Sequence, residues 1–218
     1  MEIELQYLYR GDRPAMIPVE LADFVLGDSE SYAVLDTYHD TDRLALRRSG
    51  CSLRIRSQGN LPRPLLTWKG PATRRPDGSK SREELQVALD HVPRDGNEVA
   101  AVLHRLDLWE RVCARAGIDE DCEVHEIGQL RNRRSAHHYK QGMHRLELTW
   151  DSLQFPIGEP QTRIEVEVKS AAAARFLGRV DEELRALYGR ALDRAPHGKT
   201  KELCLRLYPE LMLDAQVA

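Results

Sequence analysis

Cysteine is scarce: four residues in 218, Cys51, Cys113, Cys122 and Cys204, with no CxxC pair among them. That spacing suggests neither a thiolate zinc site nor a disulfide scaffold, and predicts reduced, mostly buried thiols. Aromatic residues make up 6% of the chain. The basic run RNRRS at 131–135 has no aromatic platform beside it of the kind that reads RNA, so nucleic acid is not an expected partner. No apolar run approaches the ~20 residues that a membrane-spanning helix requires. The N-terminus lacks the basic-then-apolar pattern of an export signal, so a cytoplasmic protein with no membrane partner is expected. Internal repeats, low-complexity tracts and long linkers are missing too, which predicts one domain over 1–218, as a monomer or a homodimer. A net charge of −3 excludes a bulk basic surface.

What the chain does have is charge of both signs, 32 basic and 35 acidic residues, in a regular arrangement. Polar and apolar residues alternate with a period of two, the mark of a strand with two unlike faces. In EIELQ, Glu2, Glu4 and Gln6 alternate with Ile3 and Leu5. SLRIR sets Arg54 and Arg56 against Leu53 and Ile55, and LLTWKG sets Thr67 and Lys69 against Leu66 and Trp68. SREELQV, HRLELTWD and RIEVEVK repeat the habit, with Arg82, Glu84 and Gln86, then Glu147, Thr149 and Asp151, then Glu165, Glu167 and Lys169 on the polar side. GNLPRP at 59–64 and TRRPDGSK at 73–80 predict hairpin loops. Apolar spacing predicts helices over 97–116, started by DGNE and stopped by Gly117, and over 171–192, with a shorter one at 18–26.

A wet sheet face usually mixes Thr, Ser, Lys and Glu loosely. Here like charges are adjacent on one face at Glu2/Glu4, Arg54/Arg56 and Glu165/Glu167, and such pairs call for a counter-charge or a ligand. The apolar faces carry Trp68 and Trp150 and match the helical stripes, so they should lie outward beneath helices and leave the charged faces inward. About eight strands closed into an antiparallel β-barrel would enclose a space for one small ligand. An interior lined by both signs suits a polyanion bound with a hard divalent cation, Mg²⁺ or Mn²⁺. His137 and His138 lack partners at metal-binding spacing and read as surface imidazoles.

These motifs, in this order, resemble the CYTH domain, also called the triphosphate tunnel metalloenzymes. That family includes inorganic triphosphatases, thiamine triphosphatases and class IV adenylyl cyclases. EIELQ is similar to its N-terminal Glu-x-Glu-x-Lys strand, SLRIR to its Arg-x-Arg strand, LTWKGP to its Lys-Gly turn and SREELQV to its Arg-Glu-Glu strand. RNRRSAHHY, LELTWDSL, IEVEVK and GKTKEL continue the match. The resemblance implies an α+β fold whose closed barrel forms a polar tunnel with helices outside. It implies metal ligation by Glu2, Glu4, Glu84, Asp151, Glu165 and Glu167, with Glu147 a weaker candidate. Substrate binding falls to Arg54, Arg56, Lys69, Arg82, Arg134, then Arg131, and Lys201. Glu2, Glu4, Lys69 and Arg82 are the implied catalytic set. The implied activity is Mg²⁺- or Mn²⁺-dependent hydrolysis of a triphosphate-containing small molecule, foremost tripolyphosphate, releasing orthophosphate. Thiamine triphosphatase and cyclase activities are the alternatives. Gln6 replaces the family's lysine and Gln86 an acid, which keeps open a low-activity binder of polyphosphate or nucleotide.

Overall fold

Alternation of apolar and charged residues produces strands in every one of the six stretches. A computed structural model describes residues 1–11 and 16–213. In chain order the elements are β1 (Glu2–Tyr9), β2 (Glu20–Leu21), β3 (Phe24–Asp40), α1 (Ala45–Arg48), β4 (Ser52–Gln58), β5 (Leu65–Lys69), β6 (Thr73–Arg74), β7 (Lys80–Arg82) and β8 (Glu84–Ala88). There follow α2 (Gly96–Arg105), α3 (Trp109–Ala116), β9 (His125–Gln141), β10 (His144–Gln154), β11 (Gln161–Val168), α4 (Leu177–Tyr188), β12 (Leu192–Arg194), α5 (Lys199–Leu207) and α6 (Pro209–Leu213). No helix among the described residues is long and apolar enough to cross a membrane. All four cysteines are unpaired, and all but the half-buried Cys122 lie in the interior.

The strands form one twelve-stranded sheet in the order β6-β7-β1-β11-β10-β9-β3-β4-β5-β8, with β12 on β1 and β2 on β3. Every pairing is antiparallel. The expected closed barrel of about eight strands is therefore wrong: the sheet curls but stays open. The reason lies in SREELQV, which is two strands and not one. Residues 80–82 pair with β1, whereas residues 84–88 pair with β5. Glu83 stands between them, its carbonyl accepting from Gly70 N–H at 3.0 Å. β7, one strand in from the β6 edge, and β8, at the opposite edge, are thus joined by a bend of the chain and not by a ladder of hydrogen bonds.

The outward faces are apolar, and helices cover them. Leu5, Tyr7, Leu148, Ile164 and Val166 pack with Leu177, Val180 and Leu184 of α4. Leu53, Ile55, Leu66 and Trp68 pack with Val99 and Leu103 of α2 and with Trp109 and Val112 of α3. Each side chain buried this way contributes ~1.5–3 kcal/mol before the entropy of ordering it. A third cluster joins Leu130 and Leu153 to Leu203 and Cys204 of α5. Leu130 and Leu153 share the alternation parity of Arg134 and Asp151, so this cluster lies on the inner face, where α5 plugs one end of the curl.

The predicted helices needed three corrections. Residues 18–26 form β2, a two-residue turn and the start of β3. Ala22 and Asp23 both have positive φ (51° and 66°), the conformation that joins two strands tightly. The helix over 97–116 breaks at Asp107, with φ 53°, into α2 and α3. Asp95 does cap α2, its carboxylate accepting from Glu98 N–H at 2.9 Å, and Gly117 does end α3. The helix over 171–192 opens as a 3₁₀ turn, Ala171–Phe176, and α4 stops at Gly189, so that Leu192 is free to join β12.

Candidate active site

The curl encloses a cavity of about 520 Å³. One wall is acidic. Glu2 and Glu4 come from β1, Glu165 and Glu167 from β11 and Glu147 from β10, and all five line it. Sheet register makes them neighbours: Glu4 is paired with Glu167, Gln6 with Glu165, and Glu147 with Glu167. The facing wall supplies Arg54 and Arg56 of β4 and Lys69 of β5. Arg82 of β7, Arg134 of β9 and the first turn of α5, with Lys199 and Lys201, complete the lining. That turn also aims the positive end of its helix at the space.

Charges meet across the cavity. Lys69 Nζ donates to Glu2 Oε1 at 2.5 Å although β5 and β1 are not neighbours in the sheet. Arg82 bridges the acidic pair, Nε to Glu2 at 2.6 Å and Nη2 to Glu4 at 2.7 Å. Burial alone would push the Glu2 carboxyl up, but Lys69 and Arg82 together hold it well below the usual carboxylate range. Glu4 goes the other way: burial, then the adjacent Glu2 charge, raise it. Lys169 offsets the lower part of the wall, bonded to Glu167 at 2.8 Å and Glu147 at 3.1 Å.

Two buried aspartates hold the cations from behind. Asp36, 1% exposed, accepts a two-pronged contact from Arg56 at 2.7 and 2.8 Å and a longer one from Arg54 at 3.4 Å. Asp151, fully buried, accepts from Arg134 twice at 2.7 Å, from Asn132 at 2.8 Å and from Lys199 at 2.5 Å. Burial opposes ionisation of both, and their paired cations overcome it, so both lie well below the ordinary aspartate value. Lys199 also donates to Glu165 at 2.7 Å. Arg54 Nε is buried without a hydrogen-bond partner among the described residues, as is Arg47 Nε, which α1 brings to the same cavity. Those two atoms are closed off from the cavity, but the side chains line it with little carboxylate opposite them. The one ion pair of Arg54 is the 3.4 Å contact to Asp36, and Arg47 forms none among the described residues, a charge balance that favours an anionic ligand.

Most of the residues singled out in the sequence converge here: Glu2, Glu4, Arg54, Arg56, Lys69, Arg82, Glu84, Arg134, Glu165, Glu167 and Lys201, with Gln6, Gln86 and Glu147. Two do not reach the lining. Arg131 is exposed on β9, one parity away from Arg134. Asp151 lies behind Arg134 and Lys199. Glu84 lines the cavity from the basic side, 3.3 Å from Lys69, away from the other carboxylates. The sequence motifs do not mark Asp36, Asn132, Lys199 or Arg47. The β3–β4 hairpin pairs Asp36 with Arg56, so aligning YAVLDTYHD against SLRIR would have found it. Lys199, two residues before Lys201 in GKTKEL, lines the same cavity.

The CYTH domain family model matches residues 1–198. The chain belongs to the CYTH family. Among solved structures it is similar over 97% of its length, and 99% of the other chain, to HpAC1 from Hippeastrum, with 21% identity and a TM-score of 0.63. That structure is described as a candidate adenylyl cyclase revealing a dominant triphosphatase activity. It is also similar to a candidate adenylate cyclase from Vibrio parahaemolyticus (16% identity, 93% and 97% covered, TM-score 0.54) and to the PH1819 protein from Pyrococcus horikoshii OT3 (19%, 98% and 99%, 0.52). At these identities the likeness concerns the fold. No curated protein sequence matches the chain.

CYTH enzymes act on triphosphate-containing substrates and generally depend on a divalent metal. Among the described residues no three His, Cys, Asp or Glu side chains converge as a ready-made metal cage. Mg²⁺ seldom uses one; it keeps several waters and takes one or two carboxylates together with substrate phosphates. The oxygen-only set Glu2, Glu4, Glu165 and Glu167 has the chemistry for such an ion. Glu4, pressed against like charges, is where added positive charge would be most favourable. The residues of this CYTH site fit the metal.

Proposed function

We propose that this CYTH chain is a Mg²⁺- or Mn²⁺-dependent triphosphatase whose foremost substrate is inorganic tripolyphosphate, hydrolysed to orthophosphate and pyrophosphate. The observation that carries the reading is one cavity in which an acidic wall faces a cluster of arginines and lysines. A linear polyanion meets such a lining using phosphate oxygens alone; a nucleoside or thiamine would in addition need contacts specific to its rings.

Arg54 and Arg56, held from behind by Asp36, present N–H groups to the phosphates, as do Arg134 and Lys199 through Asp151. Lys69, Arg82 and Lys201 add charge at either side, and the first turn of α5 adds backbone N–H groups. Glu2, Glu4, Glu165 and Glu167 would hold the divalent ion, which supplies charge neutralisation and a more acidic water when bound. A water oxygen bonds to the terminal phosphorus as the bridging P–O bond breaks. The electron pair leaves on pyrophosphate, and the water proton passes to solvent. Phosphoryl transfer of this kind needs positioning and charge, and no protein nucleophile.

Release of orthophosphate, pyrophosphate and cyclic AMP should be followed with tripolyphosphate, ATP and thiamine triphosphate, with each metal and with EDTA. Orthophosphate from tripolyphosphate, abolished by EDTA, is expected. Cyclic AMP and pyrophosphate from ATP would make the chain a cyclase. The neutral amide of Gln6 on the acidic wall favours one other reading, a polyphosphate binder, which predicts tight tripolyphosphate binding without turnover.

A further inference from the structure

Lys80 is not among the residues that line the cavity; its link to that space is Gln6, which does line it. Lys80 stands opposite Glu4 in the β1–β7 ladder, which turns it to the same side of the sheet as Glu2, Glu4 and Gln6. Its ammonium donates to Gln6 Oε1 at 2.9 Å, and Gln6 Nε2 donates to Glu165 Oε1 at 3.2 Å. Neighbouring cations differ in kind. Lys69, Arg82, Arg134 and Lys199 each meet at least one carboxylate within 3.5 Å. Lys80 forms no ion pair among the described residues. A full charge rests on a neutral amide in a half-buried place, where burial also disfavours its charged form.

That arrangement explains what a glutamine does on a strand face otherwise made of glutamates. A carboxylate at position 6 would neutralise Lys80, and an ammonium there would repel it. An amide does neither: its oxygen holds the lysine and its nitrogen ties the pair to Glu165. We infer that Lys80 supplies, from β7, the positive charge that β1 lacks at Gln6, and that its ammonium swings from Gln6 Oε1 to phosphate oxygens of a polyanionic ligand beside Arg82. The inference rests on the triphosphate reading above and adds a binding residue to it.

Calorimetric titration of the full chain with inorganic tripolyphosphate, with Lys80→Met, Lys80→Arg, Gln6→Lys and the double variant Gln6→Lys/Lys80→Met, tests it. Lys80→Met should weaken binding about tenfold or more, as the loss of a charged hydrogen bond does, and Lys80→Arg should keep most of the affinity. Gln6→Lys should recover most of the loss in the Lys80→Met background and gain far less where Lys80 is intact. Should Lys80→Met lower the unfolding midpoint too far for titration, Lys80→Gln takes its place in the cycle. Unaltered affinity in Lys80→Met, or an equal gain from Gln6→Lys in both backgrounds, would overturn this inference alone. Failure of the unaltered protein to bind tripolyphosphate would overturn the triphosphate reading with it.

Discussion

The two walls of the cavity are built on opposite terms. On the basic wall one buried carboxylate, Asp36, serves both Arg54 and Arg56, so two cations reach the cavity already oriented and partly neutralised. On the acidic wall the carboxylates themselves line the space, and their counter-charges arrive from elsewhere: Lys69 from the far wall, Arg82 from β7, Lys199 from α5. Asp151 sits within that second group yet behaves like Asp36, a support behind two cations. Aspartates, short and buried, position the site; glutamates, one methylene longer, reach into it.

Asp151→Ala should break this comparison most severely. It leaves Arg134 and Lys199 without their buried partner, and losing one side of a buried pair costs about 3–5 kcal/mol, measurable by urea unfolding. Asp36→Ala should fall in the same range; a neutral result there would show that the two supports are not equivalent. Arg56→Met should next lower the rate of orthophosphate release about a hundredfold, the scale of losing one preorganised donor. It should also lower the unfolding free energy, because buried Asp36 keeps only the longer contact from Arg54.

Acid sharpens the contrast. Asp36, Asp151 and Glu2 have depressed folded values, so their stabilisation is complete above the ordinary carboxylate range near ~4 and is lost as pH falls below it. Unfolding midpoints measured down to pH ~3 should decline, and Asp151→Asn should flatten that decline. Glu4 is raised, so its ionisation opposes folding as pH climbs past its ordinary value. Glu4→Gln should therefore raise the midpoint at neutral pH while lowering phosphate release, an opposite sign from the aspartates. Smallest of all, Arg131→Ala should stay within about 0.5 kcal/mol of the parent and leave turnover alone, as expected of an exposed side chain off the lining.

Much of this was legible in the chain itself. Glu2/Glu4 and Arg54/Arg56 are repulsive neighbours on any open sheet face, so their adjacency pointed inward, and Trp68 and the leucines beside it pointed outward. Three things were not legible. Glu83 belongs to an unbroken alternating run, and only the pairing of Arg82 with Glu2 and of Glu84 with Lys69 reveals that it ends one strand and starts another. Asp151 alternates in step with Glu147, and its different role depends on Lys199, 48 residues away. Residues 18–26 have helical spacing, but Ala22 and Asp23 turn left-handed to close a hairpin.

The bend at Glu83 also makes five consecutive residues answer to both sides of the molecule: Lys80 and Arg82 reach toward one, Glu84 toward the other. Adding a residue there would leave each flanking ladder intact while resetting the span between them. The bend is thus a place where the backbone spans the two sides directly, and a one-codon insertion there is a way to loosen the chamber at that seam without touching a residue that lines it.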